Sequence, residues 1–276
     1  MKKPLSNHTP TIAVLGIGWL GLPLIEYLAQ KQYKIHAANR SEENIGKVKN
    51  KIEKVFSINV TSEKIEGDIT SFLAADVLIV TIPPNRKLDR AQAQLEPLIP
   101  FINNSSIRNV LYTSSTGVYP ATNSIVTEVT PIKNTNHPCY QNEQALQQST
   151  NFNTTILRLA GLIGAERHPG KFFSKNGIIP NGDMPINLVH RQDVITTIEK
   201  VLLQDSWKEI YNVCASTHPT KADFYTAAAA SIGKQLQVEQ QTSDFKIINN
   251  QKTKDQLEMV YQYDDLIELL GANNWQ

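Results

Sequence analysis

Short apolar runs alternate with longer amphipathic or polar stretches through residues 12–159 of this chain. The runs are rich in Ile, Val and Leu, and they predict strands at 12–15, 33–39, 55–60, 76–82, 109–113 and 154–159. The stretches between them predict helices at 19–30, 42–53, 68–75, 89–102 and 139–149. Strands that alternate with helices favour a parallel sheet covered on both faces, so the predicted class is α/β with a doubly wound Rossmann-type sheet.

The pattern changes after the last of these strands. Gly and Pro punctuate residues 160–185, and the polar segment 120–138 already reads as a long loop of the kind that is often functional. A strand, a helix, a second strand and a second helix are then predicted at 186–190, 192–203, 210–213 and 222–232. We therefore predict a dinucleotide-binding Rossmann domain over 1–165 and a smaller α+β region over 166–276.

A glycine-rich turn follows the first predicted strand, in the segment TIAVLGIGWLGLPL. Gly16, Gly18 and Gly21 form a G-x-G-x-x-G pattern, in which the glycines allow a tight turn, a close approach of backbone to pyrophosphate, and close helix packing. Trp19 and Leu20 complete the turn where the predicted helix begins, and helix N-termini attract phosphate. The segment predicts a bound dinucleotide.

The end of the second predicted strand indicates which dinucleotide. An NAD site carries an acidic residue about 20 positions after the glycines, and Arg40 stands at that place here. A guanidinium favours a 2′-phosphate, and the hydroxyl of Ser41 adds a donor, so we predict NADP(H) over NAD(H). The alternative is that Arg40 is a solvated charge and that Glu42 or Glu43 meets a ribose hydroxyl.

Composition excludes several classes of function. The 276 residues carry a formal net charge of +1 with no basic block, so the sequence does not indicate nucleic-acid binding. Cys139 and Cys214 are far apart, the 6 histidines are scattered, and no metal-ligand spacing occurs. No apolar segment reaches the ~18 residues of a membrane span, so we expect a cytoplasmic protein that has no membrane partner.

Four ordered segments resemble the extended short-chain dehydrogenase/reductase superfamily, the NAD-dependent epimerase/dehydratase group. They are YTSSTGVYP (112–120), ILRLAGLIG (156–164), NLVHRQDV (187–194) and YNVCASTHPT (211–220). The resemblance implies that 166–276 is a partly discontinuous C-terminal α+β substrate region, with 186–204 returning to the Rossmann domain. It also implies a possible homodimer.

In that family a serine after strand five and a helix tyrosine face the nicotinamide, and a lysine follows the tyrosine by four residues. Ser115 and Tyr140 match the first two, but Gln144 occupies the lysine position. A neutral amide can hold ribose hydroxyls but supplies no charge that would stabilise a tyrosinate. Leu15 also stands where extended members carry their first glycine. These departures resemble the atypical subgroup of the superfamily.

The resemblance implies further contacts. Asn59 and Val60 stand where the family places a pair against the adenine, although Asn59 fits a turn cap equally well. Further predicted cofactor contacts are Ile82 and Pro83. The predicted substrate residues are Thr116, Arg167, His168 and Lys171, and a solvated loop is the alternative for the last three.

Three functions follow from these residues. The first is an NADP-dependent oxidoreductase or epimerase that transfers a hydride on a small polar substrate, such as a sugar or nucleotide sugar, with a degenerate Tyr-x-x-x-Lys motif. The second is a non-catalytic NADP(H)-binding sensor or scaffold, which Gln144 favours. The third is a two-domain hydroxyacid dehydrogenase, a class whose opening often continues into Asn-Arg-Ser, as residues 39–41 do.

Overall fold

A computed structural model describes residues 9–83, 93–173, 175–241 and 243–271. Its strands are β1 (Thr11–Leu15), β2 (Lys34–Asn39), β3 (Lys54–Ser57), β4 (Asn59–Val60), β5 (Ile65–Glu66), β6 (Val77–Val80), β7 (Asn109–Ser115), β8 (Ser124–Val126), β9 (Asn153–Leu159), β10 (Gly161–Ile163), β11 (Ile178–Ile179), β12 (Leu188–His190), β13 (Ile210–Val213), β14 (Gln237–Val238) and β15 (Lys246–Ile248). Its helices are α1 (Gly21–Gln30), α2 (Glu42–Gly46), α3 (Ile69–Phe72), α4 (Ile99–Asn103), α5 (Pro138–Gln147), α6 (Arg191–Gln204), α7 (Lys221–Ala230), α8 (Gln251–Gln256) and α9 (Leu266–Gly271). None of the helices in these described residues is long and apolar enough to cross a membrane.

Seven strands form the central parallel sheet in the order β13-β9-β7-β6-β1-β2-β3, which confirms the predicted doubly wound α/β class. The chain runs outward from β1 through β2 to β3, and β6 then pairs with the other side of β1. Such a reversal is the topological switch point at which open α/β sheets bind ligands, beyond the carboxyl ends of the strands. The residues that follow β1, β2 and β6 are therefore the first to consider as a site.

The two strands at this switch point are apolar throughout their buried length. β6 reads VLIV and is fully buried, and β1 is buried from Ile12 onward. Continuous apolar runs are expected for parallel strands that are covered on both faces. Leu15 pairs with Ala38 of β2 and with Val80 of β6, so the three strands end at one level.

Several predicted elements are shorter in the structure. The predicted helix 42–53 ends at Gly46, since glycine and the charged residues that follow favour helix weakly without a packed face. The predicted strand 55–60 divides into β3 and β4, because the backbone N–H of Ile58 turns to Asn39 and β4 forms an antiparallel hairpin with β5. The predicted helix 68–75 contracts to α3, which Asp68 caps through Ser71.

Two other predictions need correction or fall partly outside the structure. The described part of the predicted helix 89–102 is a 3₁₀ turn (Glu96–Leu98) followed by α4, while 84–92 lies outside the described residues. The predicted loop 120–138 contains β8, which pairs in parallel with β15 and brings Ser124 opposite Lys246. A partner so distant in sequence leaves no local pattern.

Two compact units make up the described chain. Unit one contains the residues up to Ser114 together with Thr135–Leu157 and Trp207–Glu209. Unit two contains Ser115–Asn134, Arg158–Ser206 and the residues from Ile210 onward. The domain boundary after residue 165 and the return over 186–204 stay predictions about independently folding domains, which the compactness of these units does not test.

Unit two has its own apolar core. The core residues are Ile163, Ile179, Ile186, Leu188, Ala215, Phe224, Tyr225, Leu266 and Leu269. Beside it, the buried guanidinium of Arg158 donates to the Tyr119 hydroxyl at 2.8 Å, and that hydroxyl donates to Asn212 Oδ1 at 2.8 Å. These bonds hold the segment after β7 to β9 and β13.

Two titratable residues at the start of α6 hold the C-terminal segment within unit two. His190 caps the helix, because its Nδ1 accepts from the Gln192 N–H at 3.2 Å, and its ring lies 3.9 Å from the ring of Tyr263. The Asp193 carboxylate accepts from the backbone N–H groups of Gln262 at 2.7 Å and Tyr263 at 3.1 Å. Both side chains are buried.

The environment shifts the two pKa values in opposite directions. Burial, and then the nearby positive charge of Arg191, lower the pKa of His190 to about 4. Burial raises the pKa of Asp193 to about 6, against the two backbone hydrogen bonds, and Asp264 adds to the rise. The histidine is therefore neutral in the folded chain at neutral pH, and the aspartate takes up a proton at unusually high pH.

These shifts predict opposite effects on stability between pH 4 and 6.5. The unfolded His190 gains a proton near pH 6.5 and the folded one only near 4, so its stabilising contribution is lost as the pH falls through that window. Folded Asp193 is protonated below about pH 6 and the unfolded form only below 3.8, so stability from it is lost as the pH rises through that window. We expect Asp193→Asn to increase the loss of unfolding free energy on acidification by about 3 kcal/mol over the window. His190→Asn, which keeps a good helix cap, should decrease that loss by about as much.

Urea denaturation at pH 4 and pH 7 measures both slopes, and the double variant is the control. In the double variant the two opposing contributions disappear together, so its profile should match that of the wild type. Two single variants that both keep the wild-type profile would contradict the opposed shifts.

Candidate dinucleotide site

The glycine turn leaves β1 at the switch point, and two of its glycines are required by the fold itself. Gly16 has φ +117°, a conformation that side chains other than glycine rarely adopt. A Cβ on Gly21 would lie 1.8 Å from the carbonyl oxygen of Gly16, so any side chain there forces the backbone to move. The turn and the start of α1 are therefore packed backbone against backbone.

Gly18 differs from the other two glycines. It is exposed, and a Cβ built on it would meet no protein atom within 4 Å. The fold therefore gives no reason for a glycine at this position, whereas the close approach of a ligand to the backbone does. This open surface beside a tight turn fits a dinucleotide pyrophosphate.

Helix α1 begins at Gly21, two residues later than predicted, because Trp19 and Leu20 belong to the turn that precedes it. Leu20 is the N-cap and has no polar side chain to occupy the helix end. The Leu22 N–H donates back to the Gly18 carbonyl at 2.9 Å, which closes the turn onto the helix. The positive end of a ten-residue helix thus lies directly after Gly18.

Thr81 is a site residue that the sequence analysis missed. It follows β6, and its hydroxyl donates to the Gly16 carbonyl at 2.9 Å and to the Leu15 carbonyl at 3.3 Å. Ile82 packs against the same turn, since its Cγ2 lies 3.1 Å from the position of a Cβ on Gly16, and Pro83 follows it at the surface. A threonine at the end of a buried central strand was the signal available in the sequence.

The end of β2 brings the predicted cofactor-selecting residues to the same edge of the sheet. The Gly16 N–H donates to the Ala38 carbonyl at 2.8 Å, so Asn39 and the exposed Arg40 follow beside the glycine turn. Ser41 is the N-cap of α2, and its N–H donates to Asn39 Oδ1 at 2.9 Å. That bond uses the amide oxygen of Asn39 and leaves its NH₂ group as the polar end available to a ligand.

The alternative cofactor contacts are less well placed. Glu43 forms an ion pair with Lys47 at 3.0 Å along α2. The Asn59 side chain donates to Glu66 Oε2 at 2.9 Å across the β4–β5 hairpin, and Val60 is buried. Contact of Asn59 and Val60 with an adenine stays a prediction.

Ser115 ends β7 and belongs to unit two. Its Oγ accepts from the Gly117 N–H at 3.0 Å, which fixes the hydroxyl over a 3₁₀ turn and leaves its O–H able to donate elsewhere. Thr116 is buried, and its hydroxyl donates to the Leu159 carbonyl at 3.3 Å. Ser115 is therefore the residue of this pair that can serve a substrate oxygen.

Tyr140 and Gln144 lie on α5 in unit one, one helical turn apart. His137 caps the helix through the Cys139 N–H at 3.2 Å, and the helix begins at Pro138. Tyr140 is half-buried and Gln144 is exposed. The pairing of Ser115 with Tyr140 stays a prediction.

A buried polar pair anchors α5 to β7 and was not predicted. The Ser114 hydroxyl donates to Glu143 Oε1 at 2.5 Å, and both side chains are buried. The neighbouring Asn142 donates to the Tyr112 hydroxyl at 3.2 Å and accepts from the Leu95 N–H at 3.0 Å. Successive helix residues thus bind alternate strand residues, which sets the position of α5 against the strand that leads to Ser115.

The predicted substrate residues after β10 have unequal environments. Arg167 and Lys171 are exposed, but His168 is buried, and its Nδ1 accepts from the Gly170 N–H at 3.1 Å at the head of a 3₁₀ turn. Burial, and then the charge of Lys171, lower the pKa of His168. A substrate role for these three residues stays a prediction.

The sequence and the fold of this chain are similar to those of known proteins. The sequence profile of the NAD dependent epimerase/dehydratase family matches residues 12–214, so the chain belongs to that family. This confirms the resemblance to the extended short-chain dehydrogenase/reductase group, and with it the expectation of a family that depends on nicotinamide dinucleotides. Among the described residues no group of His, Cys, Asp and Glu could hold a metal ion.

Individual proteins are similar to this chain over nearly its whole length. The protein YeeZ of Escherichia coli (strain K12) is 29% identical over 265 residues, which cover 92% of this chain and 96% of YeeZ. A functionally unknown conserved protein from Silicibacter pomeroyi has a similar fold, with TM-score 0.76, 21% identity, and 95% and 97% of the two chains covered. The UDP-glucuronic acid 4-epimerase from Bacillus cereus, in complex with NAD, gives TM-score 0.77 at 15% identity, with 95% and 96% covered.

The family and the fold favour a dinucleotide-dependent epimerase or oxidoreductase. The hydroxyacid dehydrogenase interpretation does not fit, because it requires an all-helical second domain and unit two contains strands such as β10, β12 and β15. The homodimer stays a prediction.

Proposed function

We propose that the chain binds NADP(H) in preference to NAD(H) and uses it in an epimerase or oxidoreductase reaction on a small polar substrate, a sugar or nucleotide sugar. When bound, the nicotinamide supplies hydride transfer. The observation that carries the proposal is the exposed Gly18, which has open space around it between a tight turn and the N-terminus of α1. A neighbour described as a UDP-glucuronic acid 4-epimerase with NAD supports the substrate class.

The proposal assigns a role to each of the predicted site residues. The O–H of Ser115 donates to the reacting oxygen of the substrate, since its lone pair is already held by the Gly117 N–H. Tyr140 exchanges the proton at its phenol oxygen with the substrate. Gln144 binds ribose hydroxyls through its amide, and Arg167 with Lys171 attracts an anionic group of the substrate.

The 2′-phosphate preference rests on the end of β2. Arg40 supplies a charge, the Ser41 hydroxyl is a donor, and the Asn39 NH₂ is a further donor, because the Asn39 oxygen is already bonded to the Ser41 N–H. These donors suit a phosphate, and of the two carboxylates that follow them in α2, Glu43 is paired with Lys47.

Arg40→Ala tests this preference. We expect the affinity for NADPH to fall about tenfold, which is ~1.4 kcal/mol, because a charge-assisted contact to phosphate is lost, while NADH binding stays within about twofold. Isothermal titration calorimetry measures both.

The matched control is Lys34→Ala, which removes an exposed charge from the other end of the same strand. It should leave both affinities unchanged. Equal losses of NADPH and NADH affinity in Arg40→Ala would overturn the NADP preference without affecting the dinucleotide site.

A second candidate, a non-catalytic NADP(H)-binding sensor, is favoured by the exposed Gln144 at the lysine position. Stoichiometric NADPH binding without oxidation by UDP-sugars and their keto derivatives would support it. The Gln144→Lys variant separates the cases, since gained turnover would show that only the ammonium was lacking.

A further inference from the structure

We propose that Thr81 is a positioning residue of the dinucleotide turn: its hydroxyl holds the Gly16 carbonyl inside the protein, so that the turn does not present that oxygen to the pyrophosphate. The inference rests on the proposed dinucleotide binding. It assigns a role to a residue outside the glycine pattern and outside the serine and tyrosine of the family motif.

Thr81 is bonded to the end of β1 by both its backbone and its side chain. Its N–H donates to the Leu15 carbonyl at 2.9 Å, which continues the pairing of β6 with β1 beyond the last residue of each strand. Its hydroxyl donates to the Gly16 carbonyl at 2.9 Å and lies 3.3 Å from the Leu15 carbonyl. One residue therefore fixes two successive carbonyl groups at the point where the chain leaves the strand.

The same hydroxyl lies between the first and third glycines of the turn. Oγ1 of Thr81 is 2.7 Å from the position of a Cβ on Gly16 and 2.8 Å from that of a Cβ on Gly21. The absence of side chains at these two glycines is therefore what admits the hydroxyl. Gly16 and Gly21 leave room for the Thr81 hydroxyl and for each other. Gly18 is then the glycine whose missing side chain leaves room for the ligand.

Electrostatics gives this arrangement a function. A carbonyl oxygen carries partial negative charge, and anion-binding turns work by directing N–H groups at the ligand. With φ +117°, the peptide at Gly16 adopts an orientation that few other residues allow, and the Thr81 hydroxyl donates to its oxygen. Without that donor, the buried Gly16 carbonyl has to find another partner, and rotation toward solvent would bring its oxygen toward the diphosphate.

Removal of the hydroxyl is the test, with NADPH as the probe. We expect Thr81→Val, which keeps the shape, to raise the Kd for NADPH about tenfold, as the loss of one hydrogen bond predicts. Thr81→Ser and Thr81→Ala differ from each other by the hydroxyl alone, so Thr81→Ser should bind within about twofold of the wild type and Thr81→Ala as weakly as Thr81→Val. This second pair keeps the test available if valine at position 81 disturbs folding.

The matched control is Thr113→Val on the adjacent strand β7. The Thr113 hydroxyl donates to the Val80 carbonyl at 3.1 Å, the same kind of bond to the residue that precedes Thr81. Both valine variants should lower the melting temperature by a similar few degrees, while only Thr81→Val changes the affinity for NADPH. If Thr81 had only a structural role, both variants would have a lower melting temperature and the same affinity for NADPH.

The outcomes distinguish the inference from the proposed function. Equal NADPH affinities for Thr81→Val and Thr113→Val, or for Thr81→Ser and Thr81→Ala, overturn the role of Thr81 and leave dinucleotide binding standing. A wild-type protein that binds neither NADPH nor NADH overturns both.

Discussion

Gly18→Ala will weaken NADPH binding by roughly tenfold to a hundredfold and leave the melting temperature of the free protein unchanged. The added methyl group meets no protein atom within 4 Å, so the free fold does not resist it. A pyrophosphate drawn against the Gly18 backbone does meet it, and a forced methyl in a tight contact costs about 1–3 kcal/mol. Calorimetric titration gives the affinity, and differential scanning calorimetry gives the melting temperature.

Gly46→Ala is the control for this prediction. Gly46 lies in α2 of the same unit, and a Cβ there also meets nothing within 4 Å. Because alanine favours helix over glycine, we expect a gain in stability of about 0.5–1 kcal/mol and no change in NADPH affinity. Wild-type affinity in Gly18→Ala would mean that no ligand approaches this backbone.

Gly21→Ala will destabilise the fold by about 3 kcal/mol or more and abolish NADPH binding. Its Cβ would lie 1.8 Å from the Gly16 carbonyl oxygen and 2.8 Å from Thr81 Oγ1, and a carbonyl held in a strand-to-helix turn cannot move without displacing α1. The free energy of unfolding from urea denaturation measures the first effect.

The pair Gly18→Ala and Gly21→Ala separates the two reasons for a glycine in this turn. The first variant should lose ligand affinity with its stability intact, and the second should lose both. A Gly21→Ala protein within ~1 kcal/mol of wild-type stability would contradict the packing of the turn, since overpacked sites usually cost more than that.

The sequence predicted the parts of the structure that have local causes. The glycine turn and the buried strand β6 each follow from residues adjacent in the chain, and the structure confirms them. The position of Gln144, four residues after Tyr140, is likewise read directly from the sequence.

Other features have causes distant in sequence. Strand β8 forms only because β15 pairs with it, and the segment Ser124–Val126 alone reads as loop. The bonds from Thr81 to Gly16 and from Ser114 to Glu143 join residues whose types are common and whose proximity depends on the sheet order. Helix 42–53 was overestimated because a polar helical pattern lacks the packed face that stabilises short helices.

The three glycines of the turn are required for different physical reasons. Gly16 and Gly21 are required by packing against Thr81 and against each other, so they are needed whether or not a ligand binds. Gly18 is exposed, and a Cβ added to it would meet no protein atom within 4 Å. Dinucleotide binding is therefore the property that the turn itself supports, while turnover through Ser115 and Tyr140 stays a proposal.

A crystal structure of the protein with NADPH tests the central claim most directly. The account predicts a diphosphate against the backbone N–H groups that follow Gly16, with its nearest oxygen in van der Waals contact with the Cα of Gly18, and a 2′-phosphate beside Arg40. A coenzyme bound elsewhere, or a turn filled by the side chain of Trp19 at saturating NADPH, would contradict it.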